Sequence, residues 1–304
     1  MLVVGYYKIT SVNSGKVLDV TGAGTASGTN VQQYTYNGTD AQLWFLEDAG
    51  DGYYYIISKC NGLYLDVSGG GTADGTNIQV YTKNGTTAQK FSFDEIYFGV
   101  DVSKYNGTID FSTLVNSGQI DFMIARVGWY SESKGALQVD DQFVTNYTQA
   151  KSYGLPIGTY IYSYATSVEG AAEEAEALVE YFEENGYSFD LPVFYDIEDS
   201  TYQGSLSAET RTNMCIAFGE VLQEAGYSVG VYSSKTWFTS KINVDDLPSD
   251  YIIWVASWGT NDGYVPEDVY QYTGTHDLWQ YTSTGSVPGI SGSVDISIAY
   301  KKLF

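Results

Sequence analysis

Leu191-Pro192-Val193-Phe194-Tyr195-Asp196-Ile197-Glu198-Asp199 is an apolar run that closes on acids, and its reading decides the fold. Bounded by a proline and rich in β-branched and aromatic residues, it reads as a strand over residues 192–197. A strand rises about 3.3 Å per residue and alternates faces, so Asp196 and Glu198 share a face with their Cβ atoms roughly 6.6 Å apart. Two carboxylates at that spacing suit acid chemistry on a sugar linkage placed between or beside them.

Similar strand patterns lie on both sides, at residues 98–102, 122–127, 157–162, 229–232, 252–256, 278–281 and 294–298. Helical patterns separate the early ones: residues 140–153, 168–185 where Ala and Glu dominate, and 208–225 behind an N-cap at Ser207 with Glu209 in the first turn. Eight strands alternating with helices suggest an α/β, TIM-like barrel of parallel strands. After the fifth strand the connections are rich in Gly, Asp and Thr, so the helices are expected to be incomplete on one side. Chemistry in such barrels gathers at the C-terminal strand ends. The acids there are Asp101, Asp196, Glu198 and Asp295. Aromatics near other strand ends, Trp129, Tyr162, Tyr164, Trp258, Trp279 and Tyr281, are candidates to wall a sugar cleft.

Composition narrows the chemistry by subtraction. The chain has one histidine, His276, and two cysteines, Cys60 and Cys215. A Ser-His-Asp triad would have to use His276, and a zinc site of His and Cys ligands would consume every candidate without the usual spacing. No metal site and no cofactor are expected. With 37 acidic against 14 basic residues and a net charge of −23, the chain lacks the basic face that phosphate binding needs, so nucleic acid is not an expected partner. Nothing reads as a signal peptide at Met1 or as a membrane span.

The 304 residues divide by composition near residue 95, into an expected module over 1–95 and a barrel over 96–304. The first part is rich in Gly, Thr, Asn and Tyr and is an internal duplication. Residues 6–45 align with 53–92 without a gap, with roughly 23 of 40 positions identical. Leu18-Asp19-Val20 meets Leu65-Asp66-Val67, and Asn37-Gly38-Thr39 meets Asn84-Gly85-Thr86. Short alternating strands punctuated by Gly and Asn turns predict an all-β domain of two hairpin repeats. Each repeat ends in Gln-x-aromatic, Gln42-Leu43-Trp44 and Gln89-Lys90-Phe91, a pattern that resembles the ricin-type β-trefoil lectin repeat. The resemblance implies a sugar pocket per repeat, at Asp19, Gln32 and Tyr34 and at Asp66, Gln79 and Tyr81. A trefoil has three repeats, and two are visible.

The barrel part carries a second resemblance, over about residues 97–300. Gly99-Val100-Asp101-Val102-Ser103 with Gly107-Thr108-Ile109-Asp110, then Tyr195-Asp196-Ile197-Glu198, Trp254-Val255-Ala256, Trp279-Gln280-Tyr281 and Val294-Asp295-Ile296 follow in the order of glycoside hydrolase family 25, the N-acetylmuramidases of bacterial and phage cell-wall lysis. The resemblance implies Glu198 as general acid, Asp196 assisting across the anomeric carbon, and Asp101 and Asp295 as electrostatic or substrate-orienting partners. Tyr160-Ile161-Tyr162 stands where the family often has Tyr-His-Phe, and Ser297 where it has Asn. The expectation is therefore an extracellular or wall-associated muramidase acting on peptidoglycan glycan strands, with a lectin-like module for the same or other glycans. The alternatives are a glycan-binding protein without activity and a hydrolase of a chitin-like polymer.

Overall fold

The structure is a computed structural model that describes residues 5–11, 13–93, 95–265 and 272–304. It forms two compact units, Met1–Asp94 and Glu95–Phe304.

The first unit is a seven-stranded antiparallel sheet: β1 (Tyr6–Tyr7), β2 (Val17–Val20), β3 (Thr29–Tyr34), β4 (Trp44–Gly50), β5 (Tyr53–Ser58), β6 (Tyr64–Val67) and β7 (Ile78–Tyr81), in the order β1-β4-β5-β6-β7-β3-β2. The duplication is visible bond by bond. In each repeat the buried glutamine of Gln-x-aromatic fastens a loop, as Gln42 Oε1 accepts from Asn37 N (2.8 Å) and Gln89 Oε1 from Asn84 N (3.0 Å). Each also donates through Nε2, to Thr35 O and Thr82 O, both at 3.0 Å. Trp44 is fully buried and donates its indole N–H to Leu18 O, among Val20, Leu46, Ile56, Leu65 and Val80. The turn after each Leu-Asp-Val needs a left-handed residue, and Gly22 (φ 61°) and Gly69 (φ 64°) supply it without a Cβ clash.

The second unit is a closed barrel of eight strands: β8 (Tyr97–Val102), β9 (Phe122–Ser131), β11 (Ile157–Tyr162), β12 (Val193–Asp196), β13 (Val229–Ser234), β14 (Ile252–Ala256), β15 (Leu278–Gly285) and β16 (Val294–Ala299). β10 (Ala136–Val139) is a hairpin partner of β9 outside the ring. Seven barrel strands are parallel, but β16 runs antiparallel to both β15 and β8. That corrects the expectation of an all-parallel ring. The connection over residues 286–293 is too short for a crossover, which takes about a dozen residues, so the chain folds back as a hairpin.

The helices are α1 (Phe111–Asn116), α2 (Phe143–Tyr153), α3 (Val168–Asn185), α4 (Ala208–Glu224) and α5 (Lys235–Ser240). Ser167 and Ser207 cap α3 and α4 by accepting from Gly170 N and Thr210 N, each at 3.0 Å. Among the described residues no helix lies between β14 and β15.

Strand alternation sorts two cores. Tyr195 of β12 and Ile197 just beyond it face outward to the helices, with Val255, Trp279 and Tyr281 of other strands. Phe194 faces inward with Phe122, Trp254 and Leu278. These rings fill the lower barrel, and Phe304 packs edge-on to Tyr97 from below. Gly99 is a consequence of that filling: a Cβ there would lie 2.0 Å from the Phe122 ring. Above this apolar filling, the inward-facing side chains include the polar Asp101, Arg126, Asp196 and Gln280.

Candidate active site

Asp196 is two residues beyond Phe194 and therefore inward, at the upper rim. Its neighbours on that rim are Asp101 of β8 and Asp295 of β16, which are directly paired across the antiparallel ladder. Asp295 reaches the rim because β16 is reversed and begins there. With Glu198 they line one cavity of about 370 Å³, together with Arg126, Tyr160, Tyr162, Tyr232, Trp254, Trp258 and Gln280.

The electrostatics favour neutral acids. Burial pushes Asp196 well above the usual carboxylate range, and the charges of Glu198 and Asp101 add to it, while Arg126 opposes. Burial likewise raises Glu198, with help from Asp295 and Asp199. Asp101 is raised well above its ordinary value by burial and by Asp295, against a hydrogen bond from Gln280. Burial raises Asp295 to about 6. Four carboxyl groups this close share protons, so each titrates as a member of the cluster.

Their partners are unequal. Asp101 Oδ2 accepts from Gln280 Nε2 at 2.8 Å. Asp196 is 4% exposed, yet its Oδ1 has no hydrogen-bond partner among the described residues. Arg126 faces the cavity while its Nε donates to the buried Asp140 at 2.9 Å, and the exposed Tyr105 ring lies 5.1 Å from its guanidinium. Asp199 accepts from Tyr162 O–H at 3.1 Å.

The structure brings Tyr162 and Trp258 to the cavity wall. Trp129 and Tyr164 instead line a separate pocket of about 530 Å³ with Tyr202 and Asp199. Trp279 and Tyr281 do not reach the cleft: alternation puts them on the outer face of β15, under the helices, and Trp279 donates to Ser257 O at 2.9 Å. The inward residue between them is Gln280, which the sequence reading passed over along with Arg126, Tyr160, Tyr232 and Trp254. Extending the inward row of Asp196 to every other strand would have found them. Ser297 is also inward and buried, accepting from Trp254 Nε1 at 3.0 Å. His276 precedes β15 and packs on Tyr300 just past β16, at the opposite rim.

In the first unit, Asp66, Gln79 and Tyr81 line a pocket of about 540 Å³ with Gly69, Gly70 and Asn84. Gln79 Nε2 donates to Asp66 Oδ1 at 2.9 Å, and the first repeat has the same bond from Gln32 to Asp19 at 3.0 Å. The aspartates are buried, and Tyr34 and Tyr81 are exposed.

Comparison with known proteins completes the picture. Residues 100–290 match the profile of Glycosyl hydrolases family 25, and residues 2–81 match the Ricin-type beta-trefoil lectin domain-like profile. The chain is 28% identical over 207 residues to Lysozyme M1 of Streptomyces globisporus, covering 65% of each. It is 29% identical over 202 residues to the Autolytic lysozyme of Clostridium acetobutylicum, covering 65% of this chain and 54% of that one. The aligned part is thus less than two thirds of the length of these relatives. Among solved structures, the bacterial lysozyme from Streptomyces coelicolor superimposes with a TM-score of 0.53 at 26% identity, over 66% of this chain and 90% of that one. The catalytic domain of endolysin ply40 from bacteriophage P40 of Listeria monocytogenes has the same fold, with a TM-score of 0.57 at 24% identity, over 67% and 93%.

Proposed function

Because the chain belongs to glycosyl hydrolase family 25 through residues 100–290, we propose that it hydrolyses the β-1,4 bond between N-acetylmuramic acid and N-acetylglucosamine in peptidoglycan, with Glu198 as general acid. The observation that carries the reading is the convergence of Asp101, Asp196, Glu198 and Asp295 on one cavity whose burial and mutual charge keep protons on carboxyl groups. A sugar alkoxide is a poor leaving group, and a carboxylic acid still protonated near neutral pH is what its departure requires. Glu198 hands its proton to the glycosidic oxygen as the bond to the anomeric carbon breaks. The orphan Oδ1 of Asp196 accepts the N–H of the substrate's 2-acetamido group, so that this group's carbonyl oxygen bonds the anomeric carbon as the leaving sugar departs. Water, losing a proton to the Glu198 carboxylate, then breaks that bond and restores the acid. Asp295, beside Glu198, holds negative charge near the developing oxocarbenium. Tyr162 and Trp258 supply ring faces to the sugar.

The test is digestion of purified peptidoglycan, borohydride reduction and mass spectrometry of the fragments. Muramitol ends are expected. Glucosaminitol ends would mean a different bond is cut, and absence of new ends would leave the glycan-binding alternative. Chitin oligomers, which lack the lactyl ether, run in parallel and are expected to remain intact.

For the ricin B-like lectin domain we propose glycan binding through the Asp66, Gln79 and Tyr81 pocket, where a carboxylate and an exposed ring suit the hydroxyl and C–H faces of a sugar. Tyr81→Ala is expected to weaken retention on insoluble peptidoglycan about tenfold without changing the melting temperature, read by pull-down and thermal unfolding. Unchanged retention would remove the pocket from the reading. Such an enzyme works outside the cell or at the wall.

A further inference from the structure

Gln280 sits fully inside the barrel, touching three groups of the site at once. Its Oε1 lies 2.9 Å from Tyr232 Oη and 2.9 Å from Trp258 Nε1, and its Nε2 lies 2.8 Å from Asp101 Oδ2. An amide can ordinarily be turned over without changing its shape. Here it cannot, because an indole N–H only donates, so the atom facing Trp258 must be the carbonyl oxygen. The amide nitrogen is thereby committed to Asp101. An amide NH₂ offers hydrogens and no acceptor, so Asp101 Oδ2 has to accept, and a proton on that oxygen would meet the amide head-on.

We propose that Gln280 is a positioning residue: its amide, locked in one orientation by Tyr232 and Trp258, confines the proton shared by Asp101 and Asp295 to the Asp101 oxygen that faces Asp295. Two carboxyl groups that face each other across a strand pair in a buried site need one proton between them. Asp101 and Asp295 stand opposite each other on paired strands, and with Asp101 Oδ2 held as an acceptor by Gln280, the proton sits on the other Asp101 oxygen and is donated to Asp295. The pair then carries a single negative charge, held on Asp295, the neighbour that raises Glu198. Gln280 thus acts on the acid at one remove, without touching the glycosidic bond. Facing the pair from the surrounding strands are Asp196 and Glu198, Arg126 of β9, Tyr160 of β11 and Tyr232 of β13.

The proton placement stands independently of the substrate, while its catalytic consequence rests on the hydrolase reading. The experiment therefore has two readouts. Carboxyl ¹³C NMR titration, assigned with Asp101→Asn and Asp295→Asn, follows the pair directly. Gln280→Leu removes a donor that stabilises the charged pair, so the midpoint at which the pair takes its second proton is expected to rise by about one pH unit. Trp258→Phe frees the amide to turn and is expected to move the midpoint the same way by less. The double variant should match Gln280→Leu alone, because both act through one amide. Trp258 is 41% exposed, so its replacement tests the idea even where Gln280→Leu fails to fold.

In the pH–rate profile on peptidoglycan, both limbs are expected to move inward. The pair neutralises at higher pH, and Glu198, losing a charged neighbour, gives up its proton at lower pH. Midpoints that do not move in either variant overturn the proposal, as does a profile that falls in height with both limbs in place. A wild type that releases no muramitol ends overturns the hydrolase reading and leaves the NMR midpoints to decide this one.

Discussion

Glu198→Gln is expected to cleave peptidoglycan at least about a thousandfold more slowly than the wild type, within the range by which proton transfer from a placed acid accelerates such steps. The substitution keeps the shape and the hydrogen-bonding reach of the side chain and removes only its proton. Glutamine also cannot ionise in a crowded cluster as pH rises, so the melting temperature should hold or rise, which separates loss of chemistry from loss of fold. The pH dependence has a definite sign. Burial, with Asp295 and Asp199, holds the Glu198 carboxyl above its ordinary value. The working form is the protonated one, so activity should persist above the usual carboxylate range and fall as pH climbs through the raised value. Initial rates of reducing-end release across pH measure both. Equal rates for the two proteins would mean that another group donates the proton.

Asp196→Asn is expected to lose activity by about a hundredfold or more and yet to melt at a higher temperature at neutral pH. Asp196 is raised because its charged form is desolvated and repelled by its neighbours, and one of its oxygens has no partner. Between the ordinary Asp value near 4 and the raised native value, the folded protein holds a proton that the unfolded chain has released. The native state binds more protons there, so stability is greatest at low pH and declines as pH rises. Asparagine stays neutral throughout and escapes that decline. The gain at pH 7 should be on the order of 1 kcal/mol or more, a few degrees in melting temperature, and should vanish toward pH 4. Thermal unfolding of both proteins at the two pH values reads it, and a variant that melts lower at pH 7 would refute the account.

Much of this was legible in the residues. Strands β11 and β14 and helix α3 fall where patterning places them, and α3 is bounded by a serine cap and by Gly186 in the left-handed region. The Asp196 and Glu198 spacing, with family order at other strand ends, led to all four cavity carboxylates. Helices α1 and α5 escaped because six residues are too few for a helical period to emerge. The direction of β16 is a tertiary property, although the brevity of residues 286–293 carried the signal. Trp279 and Tyr281 were misplaced by reading aromatics as sugar platforms before asking which face of the strand they occupy. Gln280 was overlooked because a glutamine has no chemistry of its own until its amide is seen held between an indole and a carboxylate.

The reversed last strand has a topological consequence. Because β16 runs down while β8 runs up, the rung joining Tyr97 to Ala299 brings the first and last strands of the barrel side by side at the rim away from the carboxylates. The ring thus has a seam: one end carries the Asp101–Asp295 rung, and the other, where the two strands could be joined, is remote from the reacting atoms. A linker across it, with new ends opened elsewhere, would make a circular permutant with every strand neighbour intact. For this barrel, where the polypeptide is cut and where the chemistry happens are separable choices.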